Sequence, residues 1–221
     1  MCNDSCLSFA RKQLKAEEIR GKTVLEVGSL NVNGSFRSLV ESLEPASYHG
    51  VDIMEGPGVD EVCPGEKLIS RFGEGRFDLV ISTEMLEHTL HWKKIIKNLK
   101  AVVKPGGILM ITTRSQGFPY HGYPFDFWRY EISDAEVIFS DFSVEALEKD
   151  GQDPGIFLKA RKLPASAPAD LGRYRLYSMP LKRRATIPEA AFSFELQRIR
   201  RQMSSFLPSG LKRTIKSCFG R

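Results

Sequence analysis

Two carboxylates and two glycines, at the spacing found here, could hold a nucleoside. Glu26 stands inside the apolar run Val24-Leu25-Glu26-Val27, and the turn Gly28-Ser29-Leu30-Asn31-Val32-Asn33-Gly34 follows at once. Asp52 closes a second apolar run 24 residues after Gly28. A strand that ends in a Gly-containing turn lets a ligand approach the backbone where a side chain would block it. A carboxylate at the tip of the next strand can accept hydrogen bonds from both hydroxyls of a ribose. Taken singly, Gly28 and Gly34 read as turn residues and Asp52 reads equally well as a helix N-cap. Glu26 is harder to set aside, because an interior carboxylate without a partner is costly. The combination predicts a nucleoside-bearing cofactor on an α/β sheet.

The elements that must position these groups are legible as alternating periodicities. Ser5 to Ile19 is predicted as a helix, with Gly21 able to end it. Val24 to Val27, Tyr48 to Ile53, Val59 to Cys63, Phe77 to Ser82 and Ile108 to Thr112 read as strands. Between them, Phe36 to Leu43 reads as a helix, and Trp92 to Val103 carries Trp92, Ile95, Ile96, Leu99 and Val102 on one face. Lys104-Pro105-Gly106-Gly107 should stop that helix. Such alternation implies a Rossmann-like, doubly wound and mostly parallel sheet. Ser143 to Leu147 and Gly155 to Ala160 are joined by a loop too short for a crossover helix, so they should pair as a hairpin and bring in one antiparallel strand.

Composition fits that frame. The chain has 221 residues, 42% of them hydrophobic and 27% charged, which suits a globular protein with one sizeable core. No apolar run approaches membrane-spanning length and the first residues lack a basic-then-apolar leader, so a cytoplasmic location is expected. Cys2, Cys6, Cys63 and Cys218 form no CxxC pair and have no His nearby, so no metal site or disulfide framework is expected from them. The net charge of +5 is uneven: residues 163–221 hold 12 Lys and Arg against 3 Asp and Glu. The expected organisation is a globular domain over 1–162, a linker over 163–187 and a basic amphipathic helical tail over 188–221.

The cofactor class follows by exclusion and by resemblance. A nicotinamide-binding turn places Gly at its first, third and sixth positions, whereas Leu30 and Asn33 occupy the third and sixth here. No Gly-Lys-Ser/Thr follows a strand. Glu26 to Ser35, Gly50 to Ile53, Ser82 to His88 and Lys104 to Gly107, in this order and followed by the hairpin, resemble the class I S-adenosylmethionine-dependent methyltransferases. The resemblance covers Val24 to Arg161. It implies that Glu26, Gly28, Ser29 and Gly34 hold the methionine half of S-adenosylmethionine, Glu26 acting near its ammonium group. It implies further that Asp52 binds the ribose diol, with Ile53 beside it, and that Cys63, Gly65 and Glu66 flank adenine. Pro64 stands where many relatives place an Asp for the adenine amino group, which passes that contact to the backbone or to Glu66. Thr83 and Glu84 should lie beneath the sulfonium. His88 reads as a structural histidine.

The acceptor side is expected after the fifth strand, at the carboxyl rim where ligands bind in open α/β sheets. Thr113 to Glu131 is dense in aromatic residues. His121 is the candidate base, since imidazole titrates near working pH, with Tyr123, Asp126 and Arg129 orienting the acceptor. A structural Asp126–Arg129 ion pair beneath aromatic cover is the competing reading. The leading expectation is methyl transfer to oxygen or nitrogen of a small-molecule or sugar-containing acceptor. RNA methylation is one alternative, and a non-catalytic cofactor-binding scaffold in a biosynthetic complex is another. Nucleic acid is not favoured, because no recognised RNA-binding module is present. The tail stripe Phe192, Leu196, Ile199, Met203 and Phe206 suits docking or a homodimer first, and peripheral contact with the inner membrane surface second.

Overall fold

The apolar runs assemble side by side in the computed structural model, which describes residues 3–122 and 125–187. Tyr123 and the basic tail from 188 onward therefore lie outside the described residues. The main sheet contains β1 (Thr23–Val27), β2 (Ser47–Asp52), β3 (Glu61–Val62), β4 (Phe77–Thr83), β5 (Val103–Arg114), β7 (Phe142–Lys149) and β8 (Gly155–Lys162), in the order β3-β2-β1-β4-β5-β8-β7. β1 pairs in parallel with β2 on one side and β4 on the other, and β5 continues in parallel from β4. β8 runs antiparallel to both β5 and β7, so the predicted hairpin inserts its second strand beside β5. The strand order reverses between β1 and β4, and open α/β sheets bind ligands at the carboxyl ends of strands at such a switch point.

Side chains alternate across this sheet and bury both faces. Leu25, Val27, Val80, Leu109 and Ile111 join a core with Ile95, Ile96 and Leu99 of α5 (Trp92–Val102), Leu68 of α4 (Leu68–Phe72) and Ile138 of α6 (Ile132–Ile138). Val24, Leu79, Ile81, Ile108 and Met110 face the other way. They meet Phe9 of α1 (Asp4–Gln13), Ile19 of α2 (Ala16–Ile19) and Val40 of α3 (Arg37–Glu41). Each such side chain contributes about 1.5–3 kcal/mol when removed from water. Glu26 is the polar interruption of the second face.

Three elements differ from expectation. The N-terminal helix is broken at Leu14 and Lys15, where the backbone is extended. The Glu18 carboxylate accepts the Lys15 N–H at 3.1 Å and so starts a new helix rather than continuing the old one. β5 begins at Val103, ahead of Lys104-Pro105-Gly106-Gly107, because Val103 pairs with Phe77 across an irregular register and Lys104 reaches Asp78 at 2.8 Å. The span read as a linker contains β9 (Leu176–Ser178) and β10 (Arg183–Ala185), which pair with β6 (Trp128–Arg129) in a second, three-stranded sheet in the order β10-β9-β6. Among the described residues no helix is long and apolar enough to cross a membrane.

Candidate cofactor and acceptor site

Glu26 is 1% exposed, and its carboxylate accepts the Tyr48 hydroxyl at 2.6 Å and, more weakly, that of Ser35 at 3.4 Å. Burial pushes the Glu26 carboxyl up to about 7, against the opposing pull of Tyr48, Arg37 and Ser35. Tyr48 is in turn pushed well up by its own burial and by the neighbouring Glu26 charge. Gly28 has φ +85°, and a Cβ there would lie 2.8 Å from Cβ and Cγ of Met85. Conformation and space both require glycine at this position. The Gly28 and Ser29 N–H groups donate to the Val51 carbonyl at 2.9 and 3.1 Å, which fastens the turn to β2. The Ser29 side chain is buried toward Gly50. Gly34 closes the turn, its N–H donating to Asn31 Oδ1 at 3.0 Å.

Asp52 is half-buried at the tip of β2. Its carboxylate accepts the Leu30 N–H at 3.1 Å and the Met54 N–H at 3.2 Å. About two of a carboxylate's roughly four acceptor positions remain for a diol. Ile53 and Met54 next to it are 66% and 55% exposed, an apolar surface suited to a purine face. The Cys63 N–H donates to the Asp52 carbonyl at 2.8 Å, which holds the segment Cys63 to Glu66 against the same rim. Gly65 lies under Ile95, and its carbonyl accepts from Asn98 Nδ2 at 2.8 Å.

The second half of the site stands at the carboxyl ends of β4 and β5. Thr83 and Glu84 are buried, and Glu84 adopts φ +50°. Its carboxylate is paired with Arg114 Nε, while Arg114 Nη1 reaches Asp150 at 3.4 Å and the guanidinium lies 4.2 Å over the Phe118 ring. Burial and then the Glu87 charge raise the Glu84 carboxyl well above its ordinary range, with Arg114 opposing. Glu84 is therefore an interior ion-pair partner and not an open wall of the acceptor cleft.

Glu87 is fully buried; its Oε2 accepts from Thr113 Oγ1 at 2.9 Å, whereas its Oε1 has no hydrogen-bond partner among the described residues. Two imidazoles face that oxygen, His121 Nε2 at 3.8 Å and His88 Nε2 at 3.9 Å. The rings meet edge to face with centroids 4.7 Å apart. His88 Nδ1 lies against the Phe125 carbonyl and His121 Nδ1 against Asp126 Oδ2 at 3.2 Å.

Asp126 and Arg129 have no accessible side-chain surface and form a bidentate pair, with Nη1–Oδ1 at 2.5 Å and Nη2–Oδ2 at 2.8 Å. Burial pushes the Asp126 carboxyl up, but Arg129 and the His121 ring and backbone together hold it well below its usual range. Arg129 also donates to the Phe118 and Pro119 carbonyls at 3.3 and 3.0 Å. The pair shapes the 118–129 loop and orients His121; buried as it is, it does not present a surface that could orient an acceptor. A groove of about 290 Å³ opens beside this loop, lined by Phe118, Tyr120, Tyr177, Met179 and Lys182 among others.

The structure thus brings Glu26, Gly28, Ser29 and Asp52 together at the carboxyl ends of β1 and β2, and sets His121 beside Glu87 beyond the end of β4. Tyr48, Glu87 and Arg114 had escaped sequence reasoning. The Ser82 to His88 stretch held the signal for Glu87, but nothing in its spacing says which carboxylate is interior.

The seven-stranded order with its single antiparallel strand is that of a class I methyltransferase fold. The chain belongs to that class: the model of the methyltransferase-domain family matches residues 7–155. A ubiquinone biosynthesis O-methyltransferase of Coxiella burnetii is 27% identical over 153 residues, covering 63% of this chain and 59% of that protein. The chain thus spans about three fifths of the length of this curated relative. In fold it is similar to an S-adenosylmethionine-dependent methyltransferase of Mesorhizobium loti (TM-score 0.56, 16% identity, 72% of this chain and 99% of that one). It is also similar to a Burkholderia thailandensis 1,6-didemethyltoxoflavin N1-methyltransferase solved with that compound and S-adenosylhomocysteine (TM-score 0.55, 20% identity, 72% and 76%).

Proposed function

We propose that the protein transfers the methyl group of S-adenosylmethionine to a heteroatom, with oxygen favoured over nitrogen, of a small-molecule acceptor. The observation that carries this reading is the pairing of Glu26 with Asp52 across the Gly28 turn at the crevice of the sheet. Glu26 is buried with its carboxyl raised to about 7, so a cationic group nearby would stabilise its ionised form. Asp52 keeps acceptor positions for two sugar hydroxyls, and exposed Ile53 offers a face to adenine.

The chemistry asks little more of the protein. A methyl group on a sulfonium is already activated, and in-line alignment of nucleophile, carbon and sulfur supplies most of the acceleration. A hydroxyl acceptor must also lose a proton, which requires a group at the acceptor side. The Glu87, His88 and His121 cluster is the candidate for that task. Oxygen is favoured by the O-methyltransferase among the curated relatives. The aromatic rim of Phe118, Tyr120 and Tyr177 suits a flat or sugar-bearing acceptor.

Incubation of methyl-labelled cofactor with extracts of a strain lacking this gene, followed by mass analysis, tests the reading. Labelled product that appears only when the protein is added supports it. Cofactor binding with no transfer to any extract component would favour the scaffold reading.

A further inference from the structure

Three potential ligand atoms converge beyond the carboxyl ends of β4 and β5. Glu87 Oε1 is fully buried and has no hydrogen-bond partner among the described residues. Each imidazole that faces it has its other nitrogen committed as a donor. His88 Nδ1 meets a backbone carbonyl, which can only accept, and His121 Nδ1 meets the Asp126 carboxylate, which Arg129 keeps ionised. A neutral imidazole that donates from Nδ1 must present a lone pair at Nε2. The two Nε2 atoms and Glu87 Oε1 all lie within 4.8 Å of one another. With both imidazoles neutral such an arrangement is repulsive, and either an added proton or a metal ion shared among the three relieves it.

We propose that Glu87, His88 and His121 bind one divalent metal ion, which takes the acceptor's hydroxyl oxygen as a further ligand. Two imidazoles and one carboxylate are a recurrent ligand set for ions that retain open positions. The surroundings supply the outer shell such sites need: Asp126 and the Phe125 carbonyl fix the imidazoles, and Thr113 fixes Glu87. Metal–nitrogen bonds of about 2.0–2.1 Å place neighbouring ligand atoms roughly 3–3.4 Å apart. The two imidazole nitrogens lie 3.8 and 3.9 Å from Glu87 Oε1, so each of these pairs needs to close by about half an ångström or somewhat more. The imidazoles retain 21% and 26% side-chain exposure, so an ion and an acceptor can reach them, whereas Glu87 has none.

The consequence for transfer is specific. An acceptor hydroxyl bound to the ion loses its proton to solvent at a lower pH. The resulting oxyanion attacks the methyl carbon; the new C–O bond forms as the C–S bond breaks, and sulfur keeps the electron pair as a neutral thioether. His121 then acts as a ligand and not as the base expected from the sequence.

The role of the ion rests on the methyl-transfer reading, but its binding does not. The test is calorimetric titration of MnCl2, and separately ZnCl2, into the full chain after treatment with chelator. The expected result is one ion per chain, with affinity at least tenfold weaker in Glu87→Gln and in His121→Gln. Each variant should keep a cooperative thermal transition. Should Glu87→Gln not fold, His88→Asn, nearer the surface, carries the comparison. Absence of binding by both ions, or binding unchanged in the folded variants, overturns the proposal. S-adenosylhomocysteine titrated into the same protein separates the two readings. Heat from the nucleoside without metal uptake sinks the metal site alone, whereas metal uptake without nucleoside binding sinks the cofactor reading.

Discussion

In the proposed function, Glu26 couples cofactor binding to pH. Its carboxyl ionises near 7 in the folded protein because burial disfavours the charge, and near the ordinary carboxylate value when unfolded. The folded state therefore holds that proton more tightly. Its contribution to stability is complete below the unfolded value and is lost as pH rises through about 7. A bound ammonium group favours the ionised form, so binding requires proton release below about 7. S-adenosylhomocysteine affinity should rise up to about tenfold per pH unit between about pH 5.5 and 7, then level off. In Glu26→Gln the slope should vanish. That variant should also gain on the order of 2–3 kcal/mol of stability at pH 8 when ligand-free. Calorimetry at several pH values, with denaturant unfolding, checks both outcomes. Gly28→Ala meets two obstacles at once, a left-handed backbone and the Met85 side chain. It should lose about 1–3 kcal/mol in urea unfolding.

At the scale of elements, the loop from Phe118 to Arg129 depends on a single buried ion pair. Arg129→Met leaves Asp126 in the interior without its cationic partner, held only by the His121 ring and backbone, and frees the Phe118 and Pro119 carbonyls. The expected loss is about 3–5 kcal/mol by thermal unfolding, and a change under about 1 kcal/mol would show that the pair does not hold the loop. This pair was legible from the sequence because Asp126 and Arg129 sit three residues apart; its complete burial was not. The main strands were equally legible, since each is an apolar run long enough to show its period. β9 and β10 were not, because three residues carry no period and their partner, β6, is distant in sequence. The break at Leu14 and Lys15 was missed for a different reason: Glu18 acts through a side-chain hydrogen bond, to which helical periodicity is blind. His88 was read as structural because only the fold brings His121 to face it.

Across the whole molecule, the second sheet ties residues beyond the methyltransferase-domain match back to the loop from Phe118 to Arg129. Leu176 is fully buried, the Met179 N–H donates to the Phe127 carbonyl at 2.8 Å, and the Tyr174 ring stands edge-on to Trp92 at 6.5 Å. Tyr174 also donates to Asp134 at 2.8 Å, and Arg184 pairs with the same carboxylate. A chain ending at residue 163 should therefore melt at lower temperature, with roughly 3–5 kcal/mol lost along with the burial of Leu176 and Met179 alone. Equal melting of the two forms would mean that the second sheet is decoration.

Calorimetric titration of S-adenosylhomocysteine into folded protein near pH 7.5 tests most directly whether a sulfur nucleoside sits between Glu26 and Asp52. The predicted result is saturable one-to-one heat that falls at least tenfold in affinity in Asp52→Ala. A folded protein that gives no heat and no shift in melting temperature with this ligand would contradict it.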